Sequence, residues 1–498
     1  MYSEKELDRL IEKRGILKGL NSTLGITAIV MVAVFVLYTI LLGKTASVQF
    51  LGIKTWIEQT LGWYYIAIMM LAFLVCAFVL FSKAGKIRLG QDTDRPEFSN
   101  FAWFSMLFGC GTGAGMLFFS MSEPLIHFAS GWSEGNPFVS AEVKGAVVTF
   151  FEAKQAALAA GLLPGDDGFP IPNDLVAEAA AGGLKLTIFH WGTIAWAMYA
   201  IVGLSLAYFS FRKGLPLSMR SALYPLIGDR IYGPIGHTVD ILAVFGTIFG
   251  IATTLGLGVE QIGAGLVSLG VLAEKSQTVT VVSILLITVI ATFSATTGVA
   301  KGIRMLSELN SWICLIILAY FLIASNANYL IASTLTGLGE YISSAVEMSF
   351  WTARSEEERT WQGGWTIFYW GWWISWSAFV GMFIARISRG RTVREFVLGV
   401  MIIPTIVSTV WFGVIGSAGI YESIYGADMS IYNTAVNNWD YAGTLYASFD
   451  VITPGLVATM AKIAALVVVV VFFVTSADSG TLVLGRLLAF GKRPPVQQ

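Results

Sequence analysis

Charge is what this sequence has least of. Asp, Glu, Lys and Arg together make up 13% of the residues, where a soluble globular chain carries roughly a quarter. Hydrophobic residues account for 55% and mean hydropathy is +0.71, so the chain reads as a membrane protein. Cysteine is nearly absent. Cys76, Cys110 and Cys314 all fall inside apolar runs, which excludes a disulfide framework or a cysteine-held metal cluster. The three histidines, His127, His190 and His237, read as structural, with His190 beside an aromatic face. There is no HExxH spacing and no nucleotide-binding loop, and no polar stretch long enough to form a soluble domain. These absences disfavour an enzyme, a cofactor-binding protein or a nucleic-acid binder. The formal charge of −1 does not single out a partner.

What the sequence has in quantity is long apolar runs. A helix of ~20 residues crosses a hydrocarbon core of ~30 Å, and ten such stretches are predicted: about 23–43, 62–82, 99–121, 187–210, 238–268, 278–299, 309–333, 363–387, 396–420 and 456–488. The first is too long, and too far from a small-residue cleavage site, for a removable signal peptide. Assigning the connections alternately to two sides places most Lys and Arg on the side of the N-terminus. By the positive-inside rule both termini are then cytoplasmic. The external connections are longer, notably 129–186 with its turn-rich LLPGDDGFPIPND. Residues 340–354, EYISSAVEMSFWTAR, are expected to form an amphipathic helix on the outer surface. The chain is expected to be a single membrane domain, with a tail and two helices over 1–98, spans over 99–335, the external helix over 336–362 and further spans over 363–498.

Four stretches could carry chemistry. In GCGTGAGM, Gly109, Gly111, Gly113 and Gly115 alternate. Each glycine weakens a helix by about 1 kcal/mol, so this run fits either a backbone that leaves helical geometry to line a cavity or a close helix–helix contact. The third span is expected to break here, and the eighth at YWGWW. Absence of a βαβ context excludes a dinucleotide fingerprint. In FHWGTIAWAMY, Trp191, Trp196 and Tyr199 share a broad helix side; an interfacial belt is an alternative for Trp191 but does not account for the deeper pair. In the eighth span, YWGWWISWSAF, Trp373 shares a face with Tyr369 and Trp376, while Trp370 and Trp372 point elsewhere. Indole faces attract a quaternary ammonium at roughly 0.5–2 kcal/mol each. In FFVTSADSGT, Thr475, Ser476, Asp478, Ser479 and Thr481 set hydroxyls and an acid in apolar surroundings. Hydroxyls with free carbonyls would suit a small hard cation such as sodium, or they bond back to their own helix. Asp478 is a buried acid inside a span.

The strings WGWWISWSAFVGMFIARISRGRTVREF, FHWGTIAWAMY and FFVTSADSGT resemble the betaine–choline–carnitine transporter (BCCT) family. The resemblance implies a LeuT-like inverted-repeat core preceded by two helices, with about ten spans here where the family has twelve, the last two absent. It implies sodium-coupled transport by alternating access, with no other cofactor, in a homotrimer in the inner (plasma) membrane among its lipids. Trp191, Trp196, Tyr199 and Trp373 would form an aromatic box around a trimethylammonium group, with Gly111, Thr112, Gly113, Gly115, Tyr369 and Trp376 as further substrate contacts. Sodium would bind at Gly109, Thr112, Phe472, Thr475 and Ser476. A second sodium would use Thr247 and Phe379, although Ile251 stands where a threonine is expected. Choline carriers tend to have aspartate at the position of Gly115, and carnitine exchangers a positive side chain near the cation site. Gly115 and the absence of Arg or Lys from 238–268 favour a zwitterion such as glycine betaine. Choline, carnitine exchange, dimethylsulfoniopropionate and trimethylamine N-oxide are the alternatives.

Overall fold

The computed structural model describes residues 9–15, 17–111, 113–129, 135–297 and 302–491. Its long helices follow the apolar runs. Peripheral helices α1 (Ser22–Leu42) and α2 (Lys44–Phe81) precede the paired segments α3 (Asn100–Gly111) and α4 (Gly113–Phe119). Then come α5 (Ser122–Ala129), α6 (Ala141–Ala159), α7 (Asp174–Trp191), α8 (Thr193–Ala207), α9 (Pro234–Ser268), α10 (Gln277–Thr297) and α11 (Gly302–Ala324). The rest comprises α12 (Ala327–Phe350), α13 (Glu356–Gln362), α14 (Phe368–Ile387), α15 (Val393–Tyr425), α16 (Tyr441–Ile452) and α17 (Leu456–Leu488). Among the described residues 9 helical segments are long and apolar enough to span a membrane, and the bent pair α3–α4 makes up to 10. The protein is an all-helical, multi-pass membrane protein.

The third span breaks where the glycines alternate, with its halves bent by 63°. The eighth span does not break at YWGWW. It runs unbroken as α14, and its irregularity lies upstream, in a π-turn at Gly363–Ile367. One glycine among large rings leaves the helical hydrogen bonds intact, whereas the paired Gly363 and Gly364 do not hold the turn so tightly. The outer amphipathic helix also differs from expectation. It starts at Ala327 because Asn326 caps it, its side chain accepting from the Tyr329 amide, so the seventh span stops at Ala324. On α12, Leu330, Gly337 and Tyr341 are buried while Ile331, Leu335, Ile342 and Val346 are exposed. The helix packs against α7 and α15.

Burial sorts the spans into centre and rim. In the most apolar window of residues 356–387, 78% is buried, against 17% for α1; α14 is the core and α1 lies at the rim. The most extensive contact is that of α8 on α14. A Cβ built on Gly381 would lie 2.6 Å from the Val202 side chain, and one on Gly203 would lie 3.0 Å from the Gly381 carbonyl oxygen. Small residues let membrane helices meet at this distance, where dispersion replaces the hydrophobic drive. A second tight pair joins α9 to α17.

Two polar devices fix the ends. The α2–α3 loop pairs with the α14–α15 loop: the Leu89 amide donates to the Arg391 carbonyl at 2.8 Å and the Gly390 amide to the Leu89 carbonyl at 2.7 Å. Arg391 lies 3.9 Å over the Trp103 ring, and its guanidinium donates to Asn100 and the Phe98 carbonyl. In the same loop the hydrogen bond from Arg389 holds the Asp94 carboxyl below the usual carboxylate range. The start of α3 is thereby tied to the end of α14. The second device is a fully buried ion pair in which Arg220 Nε donates to Asp240 Oδ2 at 2.6 Å, with Ser218 also donating to Asp240 and Phe490 3.9 Å from the guanidinium. His237 sits at its edge.

Removing one partner of a buried ion pair costs roughly 3–5 kcal/mol, whereas replacing both by apolar residues can be neutral. Arg220→Met should therefore lower the unfolding temperature in detergent more than the Arg220→Met/Asp240→Leu double variant does. A double variant at least as unstable as the single would show that the pair itself, and not the stranded charge, sets the stability.

Candidate functional site

The α8–α14 contact brings the aromatic residues together. Trp191 closes α7, Gly192 interrupts the helix, and α8 then carries Trp196 and Tyr199. The Trp191 and Trp373 ring centroids are 5.2 Å apart at 83°, and Tyr199 and Trp373 5.6 Å apart at 84°. Trp196 joins through Tyr199, at 5.6 Å and 84°. Three edge-to-face contacts at such separations are a favoured aromatic geometry, and all four residues are buried. Trp373 is held from behind, its indole N–H donating to the His190 carbonyl at 3.1 Å.

The neighbours divide differently from the helical-wheel expectation. Trp370 does turn away, toward Phe189 at 5.3 Å. Trp372 does not: it lies parallel to Trp373, 5.4 Å away with an interplanar angle of 2°, and meets Trp191 at 6.0 Å. Adjacent residues on a helix diverge at Cβ, but the long indoles swing back until the rings stack. Tyr369 stacks on Trp373 at 6.5 Å and 19°. Trp376 meets Trp372 at 6.1 Å and Phe379 at 5.4 Å. Among the described residues the buried indole N–H groups of Trp372 and Trp376 have no hydrogen-bond partner. A cavity of about 250 Å³, lined by Phe118, Phe119, Trp365, Phe368, Trp439 and Tyr441 among others, adjoins the cluster. Phe119 separates the two, 6.0 Å from Trp191.

The glycines are close approaches. A Cβ on Gly115 would lie 2.6 Å from Trp372 and 2.9 Å from Trp191, and one on Gly113 would lie 1.8 Å from the Phe472 ring. Gly111 ends α3, and Thr112 lies outside the described residues. The hydroxyl cluster meets the same break. Thr475 Oγ1 is 3.1 Å from the Gly109 carbonyl oxygen and 3.0 Å from that of Phe472, and Ser476 Oγ is 3.4 Å from the Gly109 carbonyl oxygen. Two hydroxyls and two carbonyls from α3 and α17 thus converge, and Thr475 Oγ1 also bonds back to the Val471 carbonyl oxygen of its own helix at 3.0 Å. Around Thr247 the donors are sparser. Its hydroxyl donates to the Ala243 carbonyl at 2.7 Å. The Ile251 side chain reaches to 2.2 Å from where a Cβ on Gly480 would sit, with Phe379 3.9 Å from the same point. Asp478 accepts from Ser294 Oγ at 2.6 Å, tying α17 to α10.

One residue was missed from sequence: Glu123, fully buried on α5. Its Oε2 accepts from Trp191 Nε1 at 2.7 Å and from the Tyr369 hydroxyl at 2.5 Å, and its Oε1 lies 2.8 Å from His190 Nδ1. His127 Nε2 stands 3.5 Å away. The ligand atoms of Glu123, His127 and His190 lie within 4.8 Å of one another, but indole and phenol donors already occupy the carboxylate. The signal was an acid inside the apolar stretch SMSEPLIHF, four residues before a histidine.

The geometry predicts a graded series for binding of a trimethylammonium ligand, read by equilibrium binding. Trp373→Leu should abolish saturable binding. Trp372→Leu and Gly115→Ala, which disturb the stacked wall, should weaken it by about tenfold, the equivalent of ~1.4 kcal/mol. Trp370→Leu should stay within about threefold, less than 1 kcal/mol. Equal losses at all three tryptophans would mark the cluster as packing.

Comparison with known proteins bears on the same stretches. The family model for the BCCT, betaine/carnitine/choline family transporter, matches residues 23–162 and 168–498. The chain is 39% identical over 480 residues to the glycine betaine transporter of Acinetobacter baylyi, covering 96% of this chain and 66% of that protein. It is 38% identical over 469 residues to the high-affinity choline transport protein of Escherichia coli, covering 94% and 62%. A third relative, the glycine betaine transporter OpuD of Bacillus subtilis, is 37% identical over 444 residues, covering 89% and 77%. The chain thus spans just under two thirds of the length of the first two. Matched along nearly its whole length and built of membrane-spanning helices, this chain belongs to the BCCT family, a family of transporters rather than enzymes.

Proposed function

We propose that the protein carries an N-methylated zwitterionic osmolyte, glycine betaine or a close analogue, into the cell with sodium by alternating access. The observation that carries this reading is the meeting of Trp191, Trp196, Tyr199 and Trp373. Such a cage attracts diffuse positive charge without the grip of a carboxylate, so the ligand can leave again. The indole N–H groups of Trp372 and Trp376, with the backbone around Gly111 and Gly113, supply donors for a carboxylate at the ligand's other end. Gly115 adds no counter-charge, which favours a zwitterion over choline. Choline is the second reading, favoured by the names of relatives such as the Escherichia coli protein.

Sodium would sit among Gly109, Phe472, Thr475 and Ser476, where α17 meets the break in the third span. This position couples ion and ligand, because an ion there fixes the segment that carries Gly113 and Gly115. One sodium supplies roughly 2.3 kcal/mol per 100 mV and about 1.4 kcal/mol for a tenfold gradient, enough to concentrate a neutral solute some hundreds-fold. Thr247 and Ile251 offer a second ion little. Both termini would face the cytoplasm, the membrane being the plasma membrane, with a trimeric assembly as the family resemblance implies.

The test is binding of glycine betaine to the purified chain in sodium or potassium, compared with Thr475→Val. Sodium should tighten binding to the unmodified protein by about tenfold or more, and Thr475→Val should remove that gain while leaving the potassium value unchanged. Equal affinity in both salts would contradict sodium coupling.

A further inference from the structure

Among the described residues Glu123 is the one acid that touches the aromatic cluster, and it touches it from outside. The Trp191 indole nitrogen can only donate, and it donates to the same carboxylate oxygen that accepts from the Tyr369 hydroxyl. On the other oxygen, His190 Nδ1 lies at 2.8 Å, while His190 Nε2 lies 3.1 Å from Thr366 Oγ1. With Nδ1 carrying the proton and Nε2 accepting from the threonine, a neutral His190 satisfies both contacts. Three donors therefore converge on an ionised carboxylate. Among the described residues its ion-pair neighbours are His190 and His127 alone; no lysine or arginine cancels its charge. A carboxylate, fully buried and held by three donors, thus stands directly behind two rings of the cluster.

We propose that Glu123 is the counter-charge of the aromatic cage, acting on a cationic head group through Trp191 and Tyr369 without touching it. Two effects combine. A charge-assisted hydrogen bond to the indole N–H or the phenol O–H is among the strong ones, so it fixes the rings, and it pushes electron density into them. The charge itself also acts over a distance of one ring in surroundings of low dielectric constant. The device reconciles attraction with release: a carboxylate in contact with the ammonium would hold it too firmly. Glu123 is a positioning residue in this account, and the account rests on the cage reading above.

The experiment compares a ligand with a twin whose head group is uncharged. Glycine betaine and 3,3-dimethylbutanoate share shape and carboxylate and differ in whether the quaternary centre is nitrogen or carbon. Equilibrium binding of both is measured to the full chain in lipid nanodiscs, for the unmodified protein, Glu123→Gln and Glu123→Asp. Glu123→Gln should weaken glycine betaine by about tenfold and 3,3-dimethylbutanoate by less than about threefold, so that the preference for the cation shrinks. Glu123→Asp, which keeps the charge one methylene further back, should restore most of that preference. Should Glu123→Gln not fold, Glu123→Asp carries the test, its preference falling between that of the unmodified protein and unity. Equal weakening of both ligands, in either variant, would mark a merely structural role and overturn the proposal, as would no change in either. Unmodified protein that fails to bind glycine betaine would overturn the cage reading, and the proposal with it.

Discussion

The contact on which the rest depends is the approach of α8 to α14 through Gly203 and Gly381. With no side chain at either position, the two backbones come close enough for a Cβ at one to strike the other helix. Helix packing in lipid gains little from excluding water, so this intimacy must come from surface match and dispersion. It decides where everything above it sits. Tyr199 reaches Trp373 because the helices converge, and Trp191 follows because α7 hands over to α8 at Gly192. The loop clasp around Arg391 holds the same helix from its far end and ties it to the start of α3.

A second constraint is electrical. A membrane interior tolerates few charges, and those it keeps are paired or functional. The described structure follows that rule at Arg220 and Asp240, which satisfy one another and remain apart from the cage. Glu123 is different: its partners are an indole, a phenol and imidazoles. At the break in the third span the task falls to oxygens without formal charge, from Thr475, Ser476 and the Gly109 and Phe472 carbonyls. In the proposed function the protein would meet one cation with π-faces and offer hydroxyls and carbonyls to a smaller, harder one.

How much of this could be read from sequence varied with the reach of the interaction. Apolar runs gave the spans, and α17 was placed at 456–488 to the residue, because hydropathy is a local property. Cap chemistry moved other ends, as Asn326 did for α12. The glycine alternation located the break in the third span, since unpaired backbone in lipid needs a local cause. The eighth span misled: YWGWW looked irregular by composition, yet Gly371 sits in regular helix and the distortion belongs to Gly363–Ile367. Trp372 was assigned away from Trp373 by helical angles, which place Cβ atoms but not the ends of indoles. Glu123 was passed over because its importance lies in partners 67, 68 and 246 residues away.

In the proposed function these rings form a ligand cage whose filling depends on sodium. The most direct measurement is a tryptophan-fluorescence titration of the purified chain with glycine betaine and then choline, each in sodium and in potassium. The account predicts a saturable change with glycine betaine that is stronger in sodium, and a weaker response to choline. A response to choline that exceeds glycine betaine, or one indifferent to the salt, would contradict it.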